Sequence, residues 1–117
     1  MDARPQLGRA GEDLAAGHLR RRGFEIVERN FRCSEGELDV VARRGDLLVF
    51  CEVKTRREDR WGEPSEAVGW DKQRRIRRLA AHWMRLRAPG PVEVRFDVVS
   101  IVVRRGRAEL THIADAF

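Results

Sequence analysis

The chain has 117 residues, 42% hydrophobic and 37% charged, enough for one core and a single domain over residues 1–117. Its longest uncharged apolar run is only Leu47–Cys51, which excludes a transmembrane helix and membrane association of that kind. A net charge of +5 fits a polyanionic partner, and the opening MDARPQLGRAGED lacks the apolar stretch of a signal peptide, so a cytoplasmic protein is expected.

Residues 7–22 are predicted to form an amphipathic helix. Leu7, Ala10, Gly11, Leu14, Ala15, His18 and Leu19 recur at spacings of three and four, and Gly23 supplies a stop. Glu12 lies at the border of this stripe, where an acid in an early turn favours the helix dipole. His18 reads as a helix-face residue rather than a ligand, since no partner histidine stands at metal-binding spacing. Phe24 to Cys33 reads as an edge-prone strand interrupted near Asn30, and Ser34-Glu35-Gly36 turns the chain onward. Cys33 and Cys51 form no CxxC pair and are expected as reduced thiols.

The stretch from Glu37 to Arg57 is predicted as a hairpin turning at Arg44-Gly45-Asp46. Alternation puts Glu52 and Lys54 on one face, Cys51 and Val53 on the other, and Glu37 beside Asp39. Pairing of the two strands then brings Asp39, Glu52 and Lys54 to one end of a small sheet. Two carboxylates and an ammonium are costly to bury there unless they bind something, and carboxylate oxygens suit a hard divalent cation. Only two of the 24 basic residues are lysine, Lys54 and Lys72. A lysine amine can shift its pKa where an arginine cannot, which supports a chemical role for Lys54.

A polar loop, RREDRWGEP, follows Thr55; its Trp61 reads as a loop anchor in preference to a base-stacking platform. Pro64-Ser65-Glu66 can start a helical turn, and Asp71 reads as the N-cap of a helix reaching about Arg87. Its stripe is Ile76, Leu79, Ala80, Trp83 and Leu86, while Arg74, Arg75, Arg77, Arg78 and Arg85 face away. Such a run is usually a solvated face; here the charge is nearly unbalanced after Asp71, which favours phosphate contact. Lys72 and Gln73 open this helix, where backbone N–H groups also favour an anion. Ala88-Pro89-Gly90-Pro91 ends it. Val92–Val103 reads as a strand buried on both faces at its far end, and after the turn Arg104–Arg107, residues 108–113 form the last strand. Asp97 inside that apolar strand needs a partner, and Arg95 or a helix arginine is expected in preference to a metal.

The spacing Asp39-x12-Glu52-Val53-Lys54 resembles the motif of the PD-(D/E)XK nuclease superfamily, with Leu38 where the family name has proline. With GRAGEDLAAGHLRRRGF before it and KQRRIRRLAAHW and RFDVVSI after it, the chain resembles the bacterial YraN-like (UPF0102-type) family over about residues 4–113. Those proteins are endonuclease-like and similar to archaeal Holliday-junction resolvases. The resemblance implies a restriction-endonuclease-like α/β fold, a mixed sheet of about five strands flanked by helices. That agrees with the order α-β-β-β-α-β-β read from the residues.

The resemblance also implies a reaction, Mg²⁺- or Mn²⁺-dependent hydrolysis of phosphodiester bonds in DNA, with branched or single-stranded substrates as the family-level expectation. Asp39 and Glu52 would hold the ion with the Val53 carbonyl. Lys54 would position or deprotonate water, and Glu12 would orient the water or help hold a second ion. Glu37 is either an assistant or a solvent-facing acid. Lys72 and Gln73 would support the site, with Arg74, Arg75 and Arg78 on phosphates. Resolvases cut as dimers, so a homodimer is open by analogy. Two other readings stay open: a non-catalytic nucleic-acid-binding module using the arginine-rich helix, and a structural acid cluster whose basic face binds a protein.

Overall fold

The structure is a computed structural model that describes residues 6–57 and 68–117, with side chains from Gly8 onward. Trp61, the turn at Pro64-Ser65-Glu66 and the Leu7 side chain therefore lie outside the described residues. The elements run α1 (Gln6–Arg21), β1 (Glu25–Cys33), β2 (Gly36–Arg44), β3 (Leu47–Arg57), α2 (Trp70–Arg87), β4 (Glu93–Arg104) and β5 (Arg107–Ile113), in the predicted order. The strands form one mixed sheet in the order β1-β2-β3-β4-β5. All neighbours are antiparallel except β3 and β4, which pair in parallel from Leu47↔Glu93 to Arg57↔Val103. Parallel pairing needs a crossover, and α2 lies within it. No helix among the described residues is long and apolar enough to cross a membrane.

The helices cover opposite faces of the sheet. On the α1 side Ala15 and Leu19 pack on Val40, Ala42, Val49, Cys51, Val99 and Ile101. On the other, α2 lays Ile76, Leu79, Ala80 and Trp83 against Leu38, Leu48, Phe50, Phe96 and Val98. Successive β3 residues thus serve alternate cores, which is why its sequence is continuously apolar. Trp83, 2% exposed, is the largest of these side chains, and its indole N–H donates to Glu28 Oε1 at 2.9 Å. Arg87 grips both oxygens of the same carboxylate at 2.9 Å, so the end of α2 is tied to edge strand β1. Burying large side chains of this kind stabilises the fold by about 1.5–3 kcal/mol each.

Several expectations need correction. On α1, Leu14 is 43% exposed and Ala10 is exposed, whereas Glu12 and Ala16 are buried. The packing face is centred on the small residues Gly11, Ala15 and Ala16, which let the helix approach the sheet, and this carries Glu12 inward. On α2, Leu86 is 55% exposed, and half-buried Met84 packs on the core instead. Asp71 is not the N-cap. Gly69 caps the helix with φ −64° and ψ 160°, and Asp71 sits in the first turn, where its carboxylate accepts from Arg74 at 2.7 Å. Gln73 takes part in the cap differently from expectation, with its side-chain amide donating to Val68 O at 2.6 Å.

Alternation also fails at one place that matters. Leu38 packs on the α2 side, yet Val40, two residues later, packs on the α1 side. Opposite this change, between the pairs Arg29↔Val40 and Phe31↔Leu38, Asn30 takes a left-handed φ of 56°. Asparagine tolerates that conformation better than most residues. β1 nevertheless runs unbroken from Glu25 to Cys33, so the interruption expected near Asn30 is a single left-handed residue inside a continuous strand, and the register shift of its pairing with β2 lies between Ile26 and Glu28.

Candidate metal centre and nucleic-acid face

Three carboxylates meet beside this change of face. Glu12 from α1, Glu37 and Asp39 from β2 each bring an oxygen within 4.8 Å of the others. Asn30 holds two of them, its amide donating to Glu12 Oε1 at 2.8 Å and Glu37 Oε1 at 2.9 Å. Arg32 adds a bond to Glu37 Oε2 at 3.1 Å, and Arg29 lies 3.9 Å from Glu12 Oε1. Asp39 turns toward β3, where β2–β3 pairing ends at Val40↔Cys51, and accepts from the Val53 N–H at 2.8 Å.

Loss of water around Asp39, reinforced by the charges of Glu52, Glu12 and Glu37, pushes its carboxyl from 3.8 up to about 8, against the Val53 N–H that favours the anion. A cation relieves that repulsion, and three carboxylates are a donor set of the hard-oxygen type that divalent ions such as Mg²⁺ and Mn²⁺ accept. The residues therefore fit a metal. Asp39, Glu12 and Glu37 come together, and Glu37 is half-buried there. Glu52, 8% exposed and close enough to act on Asp39, also meets Lys72, with Nζ 2.5 Å from its Oε1. Lys54 is half-buried on β3, and alternation puts it on the side of Glu52.

Close approach of α1 to β3 brings Glu12 into range, and Gly11 is what permits it. A Cβ added at Gly11 would lie 1.9 Å from Thr55 Oγ1 and 3.0 Å from Thr55 Cβ. Alanine normally favours a helix over glycine by about 1 kcal/mol. Here we expect Gly11→Ala to destabilise by about 1–3 kcal/mol through overpacking, with Thr55→Ala restoring much of the loss. Urea denaturation of the single and double variants checks this, and a Gly11→Ala chain more stable than wild type contradicts it.

The basic face of α2 is less unbalanced than its sequence implies. Arg74 is paired with Asp71, and Arg78 lies 3.8 Å from Glu35 Oε1. Arg77 stacks over Phe96 at 4.7 Å and donates to the Phe117 carbonyl. Asp71, Arg74, Arg75 and Arg78 still line a groove of about 320 Å³ beside Lys72. Trp70, 77% exposed at the start of α2, adds an aromatic surface that the sequence reading passed over. Asn30, Gly11 and Thr55 were also missed as site residues; their only signals were a polar residue within a strand, a small residue on a packing face and a threonine one place after Lys54.

The bonding of the histidines and Asp97 is a second surprise. Asp97 is fully buried and takes both Arg95 guanidinium bonds at 2.8 Å, as expected, but also His112 Nε2 at 2.8 Å and the Asp115 N–H at 3.0 Å. His112 Nδ1 in turn lies 3.0 Å from His18 Nε2. His18 thus finds a histidine partner in space that sequence spacing does not reveal.

Comparison with known proteins identifies the family. A profile described as "Uncharacterised protein family UPF0102" matches residues 11–101. A UPF0102 protein of Rhodococcus opacus is 51% identical over 112 residues, 95% of each chain. One from Streptomyces griseus is 52% identical over 115 residues, 97% of each. Among solved structures, Pyrococcus furiosus SfsA in complex with Ca²⁺ is similar at a TM-score of 0.38 and 15% identity, over 92% of this chain and 62% of that one. That likeness is too distant to define either fold or site. On the profile match and the full-length relatives, this chain belongs to the UPF0102 family.

Proposed function

We propose that this protein is a metal-dependent nuclease that hydrolyses phosphodiester bonds in DNA, branched or single-stranded DNA being the preferred class. The observation that carries the reading is the meeting of Glu12, Glu37 and Asp39 within 4.8 Å, on a chain whose Asp39-x12-Glu52-Val53-Lys54 spacing matches the nuclease motif. Asp39 and Glu12 would hold Mg²⁺ or Mn²⁺, with Glu37, Glu52 or the Val53 carbonyl completing the protein's share. Bound there, the ion supplies charge stabilisation at the phosphate and a water more easily deprotonated.

The chain's own residues supply the rest. Asn30 and the Val53 N–H orient the carboxylates before substrate arrives. Lys54 positions water and offsets charge on the scissile phosphate. Lys72 keeps Glu52 in place and starts the basic face, on which Arg74, Arg75 and Arg78 contact neighbouring phosphates and Trp70 offers a stacking surface. In a Mn²⁺-supplemented assay on single-stranded and branched DNA, Asp39→Ala and Lys54→Ala should each lower cleavage at least about 100-fold, as loss of a general acid–base group does. Binding to DNA should change by less than tenfold. Cleavage retained by both variants contradicts the proposal.

One observation favours a second reading. Glu52 is already neutralised by Lys72 at 2.5 Å, as suits a nucleic-acid-binding module that no longer catalyses. That reading expects salt-sensitive binding, no product and little response to Mn²⁺.

A further inference from the structure

At the far end of α1 from the acid cluster lies a concave pocket of about 260 Å³, lined by Arg22, Phe24, Arg44, Arg95, His112 and Ala114. Three guanidinium groups converge there from three parts of the chain: the residue after α1, the end of β2 and the start of β4. Two are fixed by their surroundings. Arg44 lies 4.4 Å over the Phe24 ring and donates to the Arg22 carbonyl at 2.9 Å. Arg95 is locked by its two bonds to Asp97 and also feels the charges of Asp115 and Glu93, so its charge is met within the protein and the pocket's positive charge comes from Arg22 and Arg44. The pocket therefore keeps an excess of positive charge, and guanidinium groups held in place suit the oxygens of a phosphate.

The pocket and the acid cluster are on the same side of the sheet. His112 reaches His18 of α1, and Asp97 and Arg95 share a face with Val99, which packs on α1. Two independent paths measure their separation. Ten residues of helical rise from Glu12 to Arg22 give roughly 15 Å. Five residues of strand from Asp39 to Arg44 give roughly 17 Å. That is several times the axial rise of about 3.4 Å per nucleotide in a stacked strand, so the two places would meet different phosphates of one strand.

We propose that the Arg22–Arg44–Arg95 pocket binds a backbone phosphate of a nucleic-acid strand, a separate phosphate from the one at the acid cluster roughly 15–17 Å away. The proposal rests on the nuclease reading for the second phosphate, but the pocket's own occupancy is read by binding, not cleavage. Its role is that of an anchor, setting where along the strand the acids act.

The test titrates a fluorescein-labelled single-stranded 12-mer of thymidine into the protein and measures anisotropy across a salt series. Wild type is compared with Arg22→Gln/Arg44→Gln. Loss of the two guanidinium contacts should weaken binding about tenfold or more, and loss of one phosphate contact should flatten the log–log salt slope by about 0.7. Because Arg44 packs on Phe24, Arg22→Glu alone serves as a second variant at an exposed position, and it should weaken binding in the same direction. Inorganic phosphate, monitored through the His112 ring resonances, should shift wild type and leave the double variant unmoved. Unchanged affinity and slope in both variants overturn the proposal, as does a phosphate shift with no change in oligonucleotide binding, which would mark a small-anion site. Absence of cleavage with these binding differences intact would count against the nuclease reading alone.

Discussion

Asp97→Ala should lower the stability of this fold by about 2–4 kcal/mol at neutral pH, because it leaves the half-buried Arg95 and His112 without their shared, fully buried anion. Asp97 sits on central strand β4 with no exposed surface and accepts from four donors at 2.8–3.0 Å. Burial opposes its charge, but the His112, Arg95 and Asp115 hydrogen bonds prevail and hold the carboxyl down at about 2, against an ordinary 3.8. A carboxyl depressed in the folded state contributes stability that is present above its unfolded pKa. That contribution disappears as pH falls from about 4 toward 2, and a shift of this size is worth about 2 kcal/mol. A carboxylate accepts only, so His112 Nε2–H donates to Asp97. Urea denaturation of wild type and Asp97→Ala at pH 7 reads the loss directly. A difference below about 1 kcal/mol contradicts the network.

Asp39 should behave in the opposite sense. Its folded carboxyl is raised to about 8, chiefly by loss of water and by Glu52, so the folded chain holds a proton that the unfolded chain releases near 4. Stability from this group is complete below about pH 4 and drains away as pH rises toward 8, at up to about 1.4 kcal/mol per pH unit. In chelator, Asp39→Asn removes the penalty. We expect the variant to gain on wild type steadily between pH 5 and pH 8, while the other acids contribute alike to both chains. Parallel stability profiles across that range would show that Asp39 ionises normally. A residue that weakens its own fold at working pH is what a site kept for binding looks like, since stability and site chemistry conflict there.

These two aspartates show how far the sequence could be read. The hairpin of β2 and β3 was legible because alternation and the Gly45 turn are local, and α2 because Ile76, Leu79, Ala80 and Trp83 recur at helical spacing. The Asp97–Arg95 pair was legible because its partner is two residues away. What was not legible depends on chain segments far apart in sequence. His18 and His112 are 94 residues apart, and Asn30 reaches Glu12 across 18. The change of face between Leu38 and Val40 defeats the period-two rule where Asp39 sits; Asp39 stays near enough to Glu52 to feel its charge, and Glu12 and Glu37 bring their oxygens within 4.8 Å of it. The approach of α1 that buries Glu12 depends on the missing Cβ of Gly11 facing Thr55, a contact between helix and strand rather than a pattern along either.

The most direct test of the proposed centre is calorimetric titration of Mn²⁺ at pH 8 into wild type and into Glu12→Gln/Asp39→Asn, each with and without a short oligonucleotide. The account predicts binding to wild type that weakens toward pH 6, because Asp39 must give up its proton to bind. It predicts at least about tenfold weaker binding in the double variant, with the fold retained. Equal binding by the two chains, or none by wild type even with oligonucleotide present, would contradict a metal centre built from Glu12, Glu37 and Asp39.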